Sequence, residues 1–291
     1  MFRALFIALL LGLPMHSEEL KVDHVTVAGR DLRAMQRALE AAGVKSEYGG
    51  PHSNHATEMA LTSFPDGSYL ELIAIQPQAD PKAVAAHEWR KFLEGDAGPT
   101  AWAVRPADLA REVDRLRKAG IAATEPKKNG RKRPDGAQLE WETAQVGPGN
   151  GNFFPFLIHD FTPRERRAYP GGQPTTSDWT GISKVVIGVK DLDASIRQFQ
   201  RAYGLAAPER QDDAQFGAKL AWFKGTPVVL ATPLAPASWL DERIREYGES
   251  PCAFLLGLNH NVNVHPSTWF GRRVAWVESS KLGWHLGFEA K

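Results

Sequence analysis

Three segments of the chain repeat the same order of apolar and polar positions. In each, a short apolar run is followed by an Asp-Leu pair, then by apolar residues at helical spacing, and finally by a glycine. The apolar runs are Val22 to Gly29, Thr100 to Val104 and Ile182 to Val189. The spacing from the Asp to the Gly is 12, 12 and 13 residues. Such near-constant spacing indicates duplication of one structural unit.

Each predicted helix carries a start signal and a stop signal. The aspartate before it can accept hydrogen bonds from the free N–H groups of the first turn. The glycine after it suits the left-handed conformation that ends a helix. The pairs are Asp31 with Gly43, Asp108 with Gly120, and Asp191 with Gly204.

Strand-like segments follow the predicted helices in pairs. Thr57 to Phe64 and Ser68 to Ile75 flank Pro65-Asp66-Gly67, which is a strong turn signal. Gln138 to Thr143 and Phe153 to Ile158 form the corresponding pair after the second helix. The pattern therefore predicts an α/β (α+β) fold built from tandem βαβββ modules.

The modules are predicted to form two halves of the chain. Modules one and two occupy residues 18–160, and modules three and four, the last degenerate, occupy residues 181–291. A helix at Trp239 to Tyr247 is predicted for the degenerate module. The segment 161–180 is rich in Pro, Gly, Thr and Arg, a composition typical of a linker.

Residues 1–17 have the pattern of a secretory signal peptide. Arg3 supplies a positive charge, and Ala4 to Leu13 is almost wholly apolar but too short to span a bilayer. We therefore expect an exported protein, periplasmic or secreted, with no stable membrane association after signal cleavage. An uncleaved N-terminal anchor is the alternative interpretation.

Charge and cysteine content exclude several classes of function. The 35 basic and 34 acidic residues give a net charge of +1, which provides no field that would attract nucleic acid or an anionic membrane. The single cysteine, Cys252, excludes an intramolecular disulfide and a cysteine-based zinc site. Its apolar neighbours favour a buried, inert thiol.

The first half of the chain carries motifs of a known group of proteins. Asp23-His24-Val25-Thr26-Val27 resembles the opening strand of the vicinal oxygen chelate superfamily, which includes glyoxalase I, bleomycin-resistance proteins and extradiol dioxygenases. Gly49-Gly50-Pro51-His52 and Tyr69-Leu70-Glu71-Leu72-Ile73 resemble the narrower glyoxalase-like domain subgroup. Arg133-Pro134-Asp135-Gly136 is similar to the same subgroup.

This resemblance implies both a fold and a candidate metal site. In the superfamily, two βαβββ modules pair into a curved, half-barrel sheet around a cleft that commonly holds a divalent metal. On that template His24 is the first-strand ligand of module one, and Glu71 is the last-strand ligand. Imidazole and carboxylate ligands suit Zn, Fe(II), Mn or Ni, so one of these is the expected cofactor.

The equivalent positions of the other modules lack suitable ligands. These positions are Ala101 and Phe156 in module two, and Lys184 and Val229 in module three. A third ligand would therefore come from a loop. His52 is the best candidate, both as a metal ligand and as a catalytic general base, and His55 and His159 are further candidates.

For each of three sets of candidate residues, two interpretations stay open. His24 and Glu71 form either half of a metal site or an ion pair retained from a metal-binding ancestor. His52 is either a functional residue or an exposed loop histidine. The aromatic residues of module two either form the wall of a ligand site or pack in the core; they are Trp141, Phe153, Phe154 and Phe156.

A basic run in module two is interpreted as a solvated hairpin rather than an anion site, because the chain as a whole is not basic. It comprises Lys127, Lys128, Arg131, Lys132 and Arg133.

The sequence therefore gives two hypotheses of function. The first is a metal-dependent lyase, isomerase or dioxygenase that acts on a small oxygenated organic molecule. The second is a non-catalytic protein of the same fold that binds a small molecule. The sequence leaves the substrate and the oligomeric state open.

Overall fold

The computed structural model of the protein describes residues 20–133, 135–258 and 266–290, and its strands form two eight-stranded sheets. The first sheet contains β1 (Val22–Ala28), β2 (Glu47–Pro51), β3 (Thr57–Ser63), β4 (Tyr69–Ile75), β5 (Gly98–Val104), β6 (Lys127–Lys132), β7 (Gln138–Ala144) and β8 (Phe156–Asp160). The second contains β9 (Trp179–Gly188), β10 (Glu209–Asp213), β11 (Ala218–Trp222), β12 (Val228–Pro233), β13 (Ser250–Leu258), β14 (Pro266–Trp269), β15 (Arg272–Trp276) and β16 (His285–Ala290). The predicted signal peptide, residues 1–17, lies outside the described residues.

The two sheets share one topology. The strand order is β2-β3-β4-β1-β5-β8-β7-β6 in the first and β10-β11-β12-β9-β13-β16-β15-β14 in the second. Within each module the first strand runs parallel to the last. Two modules meet in each sheet because their first strands pair antiparallel, β1 with β5 and β9 with β13. The prediction of an α/β (α+β) fold with tandem βαβββ modules paired into curved, half-barrel sheets is confirmed.

Eight helices connect the strands of the described residues. They are α1 (Leu32–Ala41), α2 (Pro81–Ala85), α3 (Arg90–Glu94), α4 (Leu109–Lys118), α5 (Arg164–Ala168), α6 (Leu192–Tyr203), α7 (Trp239–Tyr247) and α8 (Ser279–Leu282). The aspartates that precede α1, α4 and α6 each accept a backbone N–H from the first turn at 2.9 Å, as predicted. No helix in the described part of the chain is long and apolar enough to cross a bilayer.

Successive side chains of a strand point to opposite faces of its sheet, so the two faces of each sheet have different surroundings. Val25 and Val27 of β1 belong to a buried cluster that also contains Val185 and Ile187 of β9. The inward faces of the two sheets therefore share one hydrophobic core, to which α1, α4 and α6 also contribute. The opposite face of the first sheet carries His24 and Glu71, so the candidate site points away from the second sheet.

Two segments differ from the sequence-based expectation. Strand β8 begins at Phe156 rather than Phe153, because the Phe153 and Phe154 rings turn into the common core and contact Phe199 of α6. The segment 161–178 contains helix α5, which directs Arg164 and Arg167 back toward β1.

Candidate functional site

The outward face of the first sheet encloses a cavity of about 260 Å³. Side chains from β1, β3, β4, β6, β7, β8 and α5 line it, together with the loop after β2, the segment between α2 and α3, and the segment between β7 and β8. One part of the lining is polar and contains His24, His52, Glu71, His87 and Arg131. The remainder includes Trp89, Trp141, Phe156 and Ile158, so a ligand would meet both polar and aromatic surfaces.

His24 is held in one orientation by its neighbours on three sides. It is 4% exposed, its ring stacks on the Tyr69 ring with centroids 4.8 Å apart, and Phe156 packs edge-on against it. Its Nδ1 lies 2.5 Å from Oδ1 of Asp23. Because that carboxylate can only accept, Nδ1–H donates, and Nε2 is the ring nitrogen left for other partners. Nε2 faces Glu71 at 3.9 Å from Oε2.

Asp23 stays ionised although it is completely buried. Burial would raise the pKa of its carboxyl group, but the positive charges of Arg167 and Arg164 and the bond with His24 hold that pKa well below its ordinary value. Arg167 Nη2 lies 2.9 Å from Asp23 Oδ2, and Arg164 also bonds to this oxygen. Asp160 binds the same two arginines. This network fixes the acceptor that orients His24, in the manner of carboxylates behind metal-binding histidines.

Glu71 lies between two histidines. Its Oε1 is 3.4 Å from His52 Nε2, and its Oε2 faces His24 and also accepts a hydrogen bond from the Thr26 hydroxyl at 3.3 Å. Burial would raise its pKa, but the hydrogen bond from His52 and the charge of His24 lower the pKa to about 2. Glu71 is therefore a carboxylate throughout the physiological pH range.

His52 follows β2 and is half-buried at the cavity wall. Its Nδ1 lies 2.8 Å from the hydroxyl oxygen of Thr57, a buried residue at the start of β3. A hydroxyl can donate or accept, so His52 can present Nε2 to Glu71 either protonated or with a free lone pair. The first state makes an ion pair or hydrogen bond, and the second can bind a metal or accept a proton.

The structure brings together all three residues that the sequence singles out, His24, Glu71 and His52. The other two histidines considered lie elsewhere. His55 is exposed with φ 58° and does not line the cavity. His159 lies on the opposite face of β8 from the two cavity residues Phe156 and Ile158.

His87, which sequence reasoning missed, is a further histidine in the cavity wall. Its Nδ1 accepts the backbone N–H of Trp89 at 3.1 Å. Burial lowers its pKa and the charge of His52 lowers it further, against the opposing effect of Glu71. His87 is therefore a neutral imidazole whose Nε2–H is free to donate. It lies between α2 and α3, outside the repeated unit, so no periodic pattern indicates it.

The imidazole and carboxylate groups of this site are suitable ligands for a divalent metal, but the distances between their ligand atoms match a metal site less well. In a tetrahedral site with bonds of about 2.1 Å, neighbouring ligand atoms lie about 3.4 Å apart. His52 and Glu71 match that distance, whereas His24 Nε2 is 3.9 Å from Glu71. Within residues 20–133, 135–258 and 266–290, no group of three or more His, Cys, Asp or Glu side chains is already arranged around a metal position.

The template positions in module two contribute no ligand. Ala101 and Phe156 are buried on the cavity side of β5 and β8, as the sequence register predicts. At most, His24, Glu71 and His52 would bind the metal, and its remaining coordination positions would be open to ligand or water.

Arg131 contradicts the interpretation of the basic run as a solvated hairpin. Lys127, Lys128 and Lys132 are exposed, but Arg131 is only 8% exposed and lines the cavity. The reason is strand alternation, which turns Arg131 inward and its neighbour Lys132 outward. Each of the two interpretations of the aromatic residues holds for two of them. Trp141 and Phe156 line the cavity, whereas Phe153 and Phe154 pack in the core.

The corresponding face of the second sheet is packed with aromatic side chains. The Phe216 ring contacts four others, those of Trp239, Trp269, Trp276 and His285. Cys252 is buried in the same cluster, and burial raises the pKa of its thiol to about 12, as expected for an inert cysteine. In the described residues, the aromatic cluster around Phe216 therefore fills the part of this face that corresponds to the cavity of the first sheet.

Comparison with known proteins places these observations in a family. The family model described as glyoxalase-like domain matches residues 22–203. A search of curated protein sequences finds no match.

The solved structures found to be similar are distant in sequence. A hypothetical protein from Staphylococcus aureus is 12% identical, with a TM-score of 0.67 over 93% of this chain and 99% of its own. A triple mutant of 4-hydroxymandelate synthase from Streptomyces coelicolor is 11% identical, with a TM-score of 0.54 over 83% of this chain and 72% of its own. Methylmalonyl-CoA epimerase from Mycobacterium tuberculosis is 16% identical over 40% of this chain and 92% of its own, with a TM-score of 0.34.

The family match covers both modules of the first sheet and continues into α6, and the Staphylococcus aureus protein and 4-hydroxymandelate synthase resemble this chain in fold over 93% and 83% of its length. The chain therefore belongs to the glyoxalase-like domain family of the vicinal oxygen chelate superfamily, as its sequence motifs predict.

Proposed function

We propose that the protein is a metal-dependent enzyme that binds a small oxygenated organic molecule in the cavity of the first sheet and catalyses a lyase or isomerase step. One observation carries the proposal. The buried Glu71 carboxylate faces two imidazoles, and one of them is oriented by the fully buried Asp23. A buried charge is costly unless it is paired or bound to metal, and the cavity gives a ligand access to this group.

The proposed ligands of the metal are His24, Glu71 and His52. A divalent ion bound there would polarise oxygen atoms of the substrate as a Lewis acid. Asp23 keeps Nδ1 of His24 protonated, which leaves Nε2 as the donor atom. The low pKa of Glu71 keeps it ionised, so no proton has to leave before it can bind.

Two histidines would carry the proton chemistry. When His24 and Glu71 alone hold the metal, the His52 ring can carry its proton on either nitrogen, because Thr57 can donate or accept, and Nε2 is then suited to moving a proton. His87 is neutral with Nε2–H free, so it is suited to donating a hydrogen bond to an oxygen that becomes negative. Trp89, Trp141 and Phe156 would exclude water from the reacting atoms.

Metal content of purified protein, measured by mass spectrometry without chelator or affinity tag, tests the proposal. We expect near-stoichiometric metal in the parent and none in His24→Ala or Glu71→Gln. His55→Asn is the matched control, because His55 is exposed outside the cavity and Asn tolerates its positive φ. Unchanged metal binding in both cavity variants would reject the site.

A dioxygenase step is the alternative reaction at the same residues, because two imidazoles and one carboxylate are also the ligand set of non-haem iron oxygenases. Oxygen consumption by the protein loaded with Fe(II), and none by the protein loaded with Zn, would favour the dioxygenase step over the lyase or isomerase step.

A second candidate function is binding without catalysis. Ala101 and Phe156, at the two template positions of module two, favour it because neither can bind a metal. In that case Glu71 and its histidines form an ion-paired cluster that binds a ligand by hydrogen bonds alone. Ligand binding that survives chelator, with no turnover of any bound compound, would support this function over the enzyme.

A further inference from the structure

We infer that the ligand of this cavity is a small organic carboxylate whose carboxylate group is bound by the guanidinium of Arg131. The inference deepens the proposed function, on which it rests only for the location of the ligand.

Arg131 is a buried cation with donors to spare. Its Nη1 donates to the backbone oxygen of Gly49 at 2.9 Å. No other hydrogen bond or ion pair joins it to the described residues, and it is 8% exposed. A buried guanidinium without an anionic partner is costly. Its remaining N–H groups form the planar fork that binds a carboxylate through two parallel hydrogen bonds.

The other arginine in the cavity wall is already saturated. Arg167 bonds to Asp23, Asp160 and the Tyr69 hydroxyl. It is therefore committed to the network behind His24, and it has nothing left to offer a ligand. Of the two arginines that line the cavity in the described residues, Arg131 is the one whose charge is not matched by a protein carboxylate.

Glu71 is not the ion-pair partner of Arg131. Glu71 attracts Arg131 through space, but its two oxygens face His52 and His24, and it forms no ion pair with Arg131. Burial lowers the pKa of Arg131, yet an arginine remains protonated in proteins at any ordinary pH. An anionic ligand would therefore supply the missing partner.

Cavity size and lining restrict the rest of the molecule. A volume of about 260 Å³ lies below the roughly 300–1,000 Å³ of pockets for drug-sized ligands. Trp141, Phe156 and Ile158 provide an apolar wall, and the histidines with Glu71 provide a site for a hydroxyl or oxo group. The ligand class is a small carboxylate with one apolar group and a second oxygen function.

The experiment compares an acid with its neutral amide. Phenyllactate and phenyllactamide differ in charge but scarcely in shape, and the fluorescence of Trp89 and Trp141 in the cavity wall reports binding. We expect the parent to bind the acid at least about tenfold more tightly, since hydrogen bonds between charged groups are roughly twice as strong as those between neutral groups. Arg131→Gln should abolish this preference. Lys132→Gln is the matched control, because Lys132 is the exposed neighbour on the same strand and its removal should change nothing.

Equal affinity for acid and amide in the parent would overturn the inference, as would an acid preference that survives Arg131→Gln. So would the failure of phenyllactate, lactate and benzoate alike to bind at millimolar concentration. If Arg131→Gln does not fold, as judged by circular dichroism, Arg131→Lys takes its place. It keeps the charge, loses the fork, and should show a reduced preference.

Titrating metal-free and metal-loaded protein in parallel separates this inference from the proposed function. An Arg131-dependent preference in both forms supports the inference even if the metal proposal fails. A preference that requires metal and is indifferent to Arg131 overturns the inference and leaves the metal proposal standing.

Discussion

Lys184 occupies in the second sheet the position that His24 occupies in the first. Each lies on the first strand of its sheet, seven residues before the aspartate that caps the following helix. Lys184 Nζ lies 2.9 Å from Glu289 Oε2, both side chains are buried, and the ammonium lies over the Trp222 ring. A positive charge thus stands in the second sheet where the first sheet has His24, the proposed metal ligand. The duplicated units have diverged, because an aromatic cluster around Phe216 fills the face of the second sheet that corresponds to the cavity of the first.

Removing one partner of the Lys184–Glu289 pair should destabilise the protein. Glu289→Leu leaves a buried ammonium without its carboxylate, and such losses cost about 3–5 kcal/mol. Burial already lowers the pKa of Lys184, and Glu289 opposes this effect, so the unpaired lysine becomes easier to deprotonate. Urea unfolding followed by circular dichroism measures the change in the free energy of unfolding.

The double variant Lys184→Met with Glu289→Leu should recover most of that loss, because it removes both buried charges. Glu209→Leu is the control, since its pair with Lys224 is exposed and should contribute at most about 1 kcal/mol. A double variant as unstable as Glu289→Leu alone would show that the charge pair is not the cause.

Glu71 should make the stability of the metal-free protein depend on acid pH. Its pKa is about 2 in the folded protein against an ordinary value of 4.5. A depressed folded pKa stabilises the protein above the unfolded value, and the stabilisation disappears as pH falls through the folded value. The contribution is on the order of 3 kcal/mol above pH ~5. Urea unfolding of the parent and Glu71→Gln should differ by this amount at pH ~5 and converge toward pH ~2.

Glu40→Gln serves as the control for this pH dependence, because Glu40 is exposed on α1. Its difference from the parent should stay near zero over the same range. A gap between the parent and Glu71→Gln that stays constant from neutral pH to strong acid would contradict ionisation of Glu71 as its source.

Some residues of the site can be predicted from the sequence because a local motif or strand pattern determines where they lie. His24 and Glu71 are predicted by the resemblance of their strands to the superfamily template, and strand alternation agrees with the placement of Glu71 on one face of β4. His52 is predictable from the glycine-rich motif before it. The same two-residue period would have turned Arg131 inward, but the basic run around it suggested exposure.

Other parts of the site depend on contacts between distant segments. His87 belongs to a connection outside the repeat, and Arg164 and Arg167 belong to a segment whose composition is that of a linker. They reach the site because α5 returns to the start of β1, where Asp23 binds both arginines. Interactions across more than 140 residues leave no trace in local periodicity, so one sequence alone cannot indicate them.

Thr57 should affect metal binding through His52. Thr57→Val keeps the shape of the side chain but removes the hydroxyl that contacts Nδ1. Loss of such a supporting contact typically reduces metal affinity about 10- to 100-fold, measured by competition with a chromogenic chelator. Thr62→Val is the control on the same strand, because its hydroxyl bonds to the Lys45 carbonyl away from the cavity. Equal losses in the two variants would indicate a general effect on β3 rather than on His52.

Phe156→His should strengthen metal binding, because it supplies an imidazole at a template position of module two that lacks a ligand and contacts His24. The Phe156 ring packs against the His24 ring with centroids 5.3 Å apart, on the cavity side of β8. A fourth protein ligand completes a tetrahedral set, so the dissociation constant for Zn²⁺ should fall by at least about tenfold. Ile158→His, two residues along the same face, controls for simply adding a histidine to the cavity. If both variants bind Zn²⁺ as the parent does, His24 and Glu71 do not form the centre of a metal site.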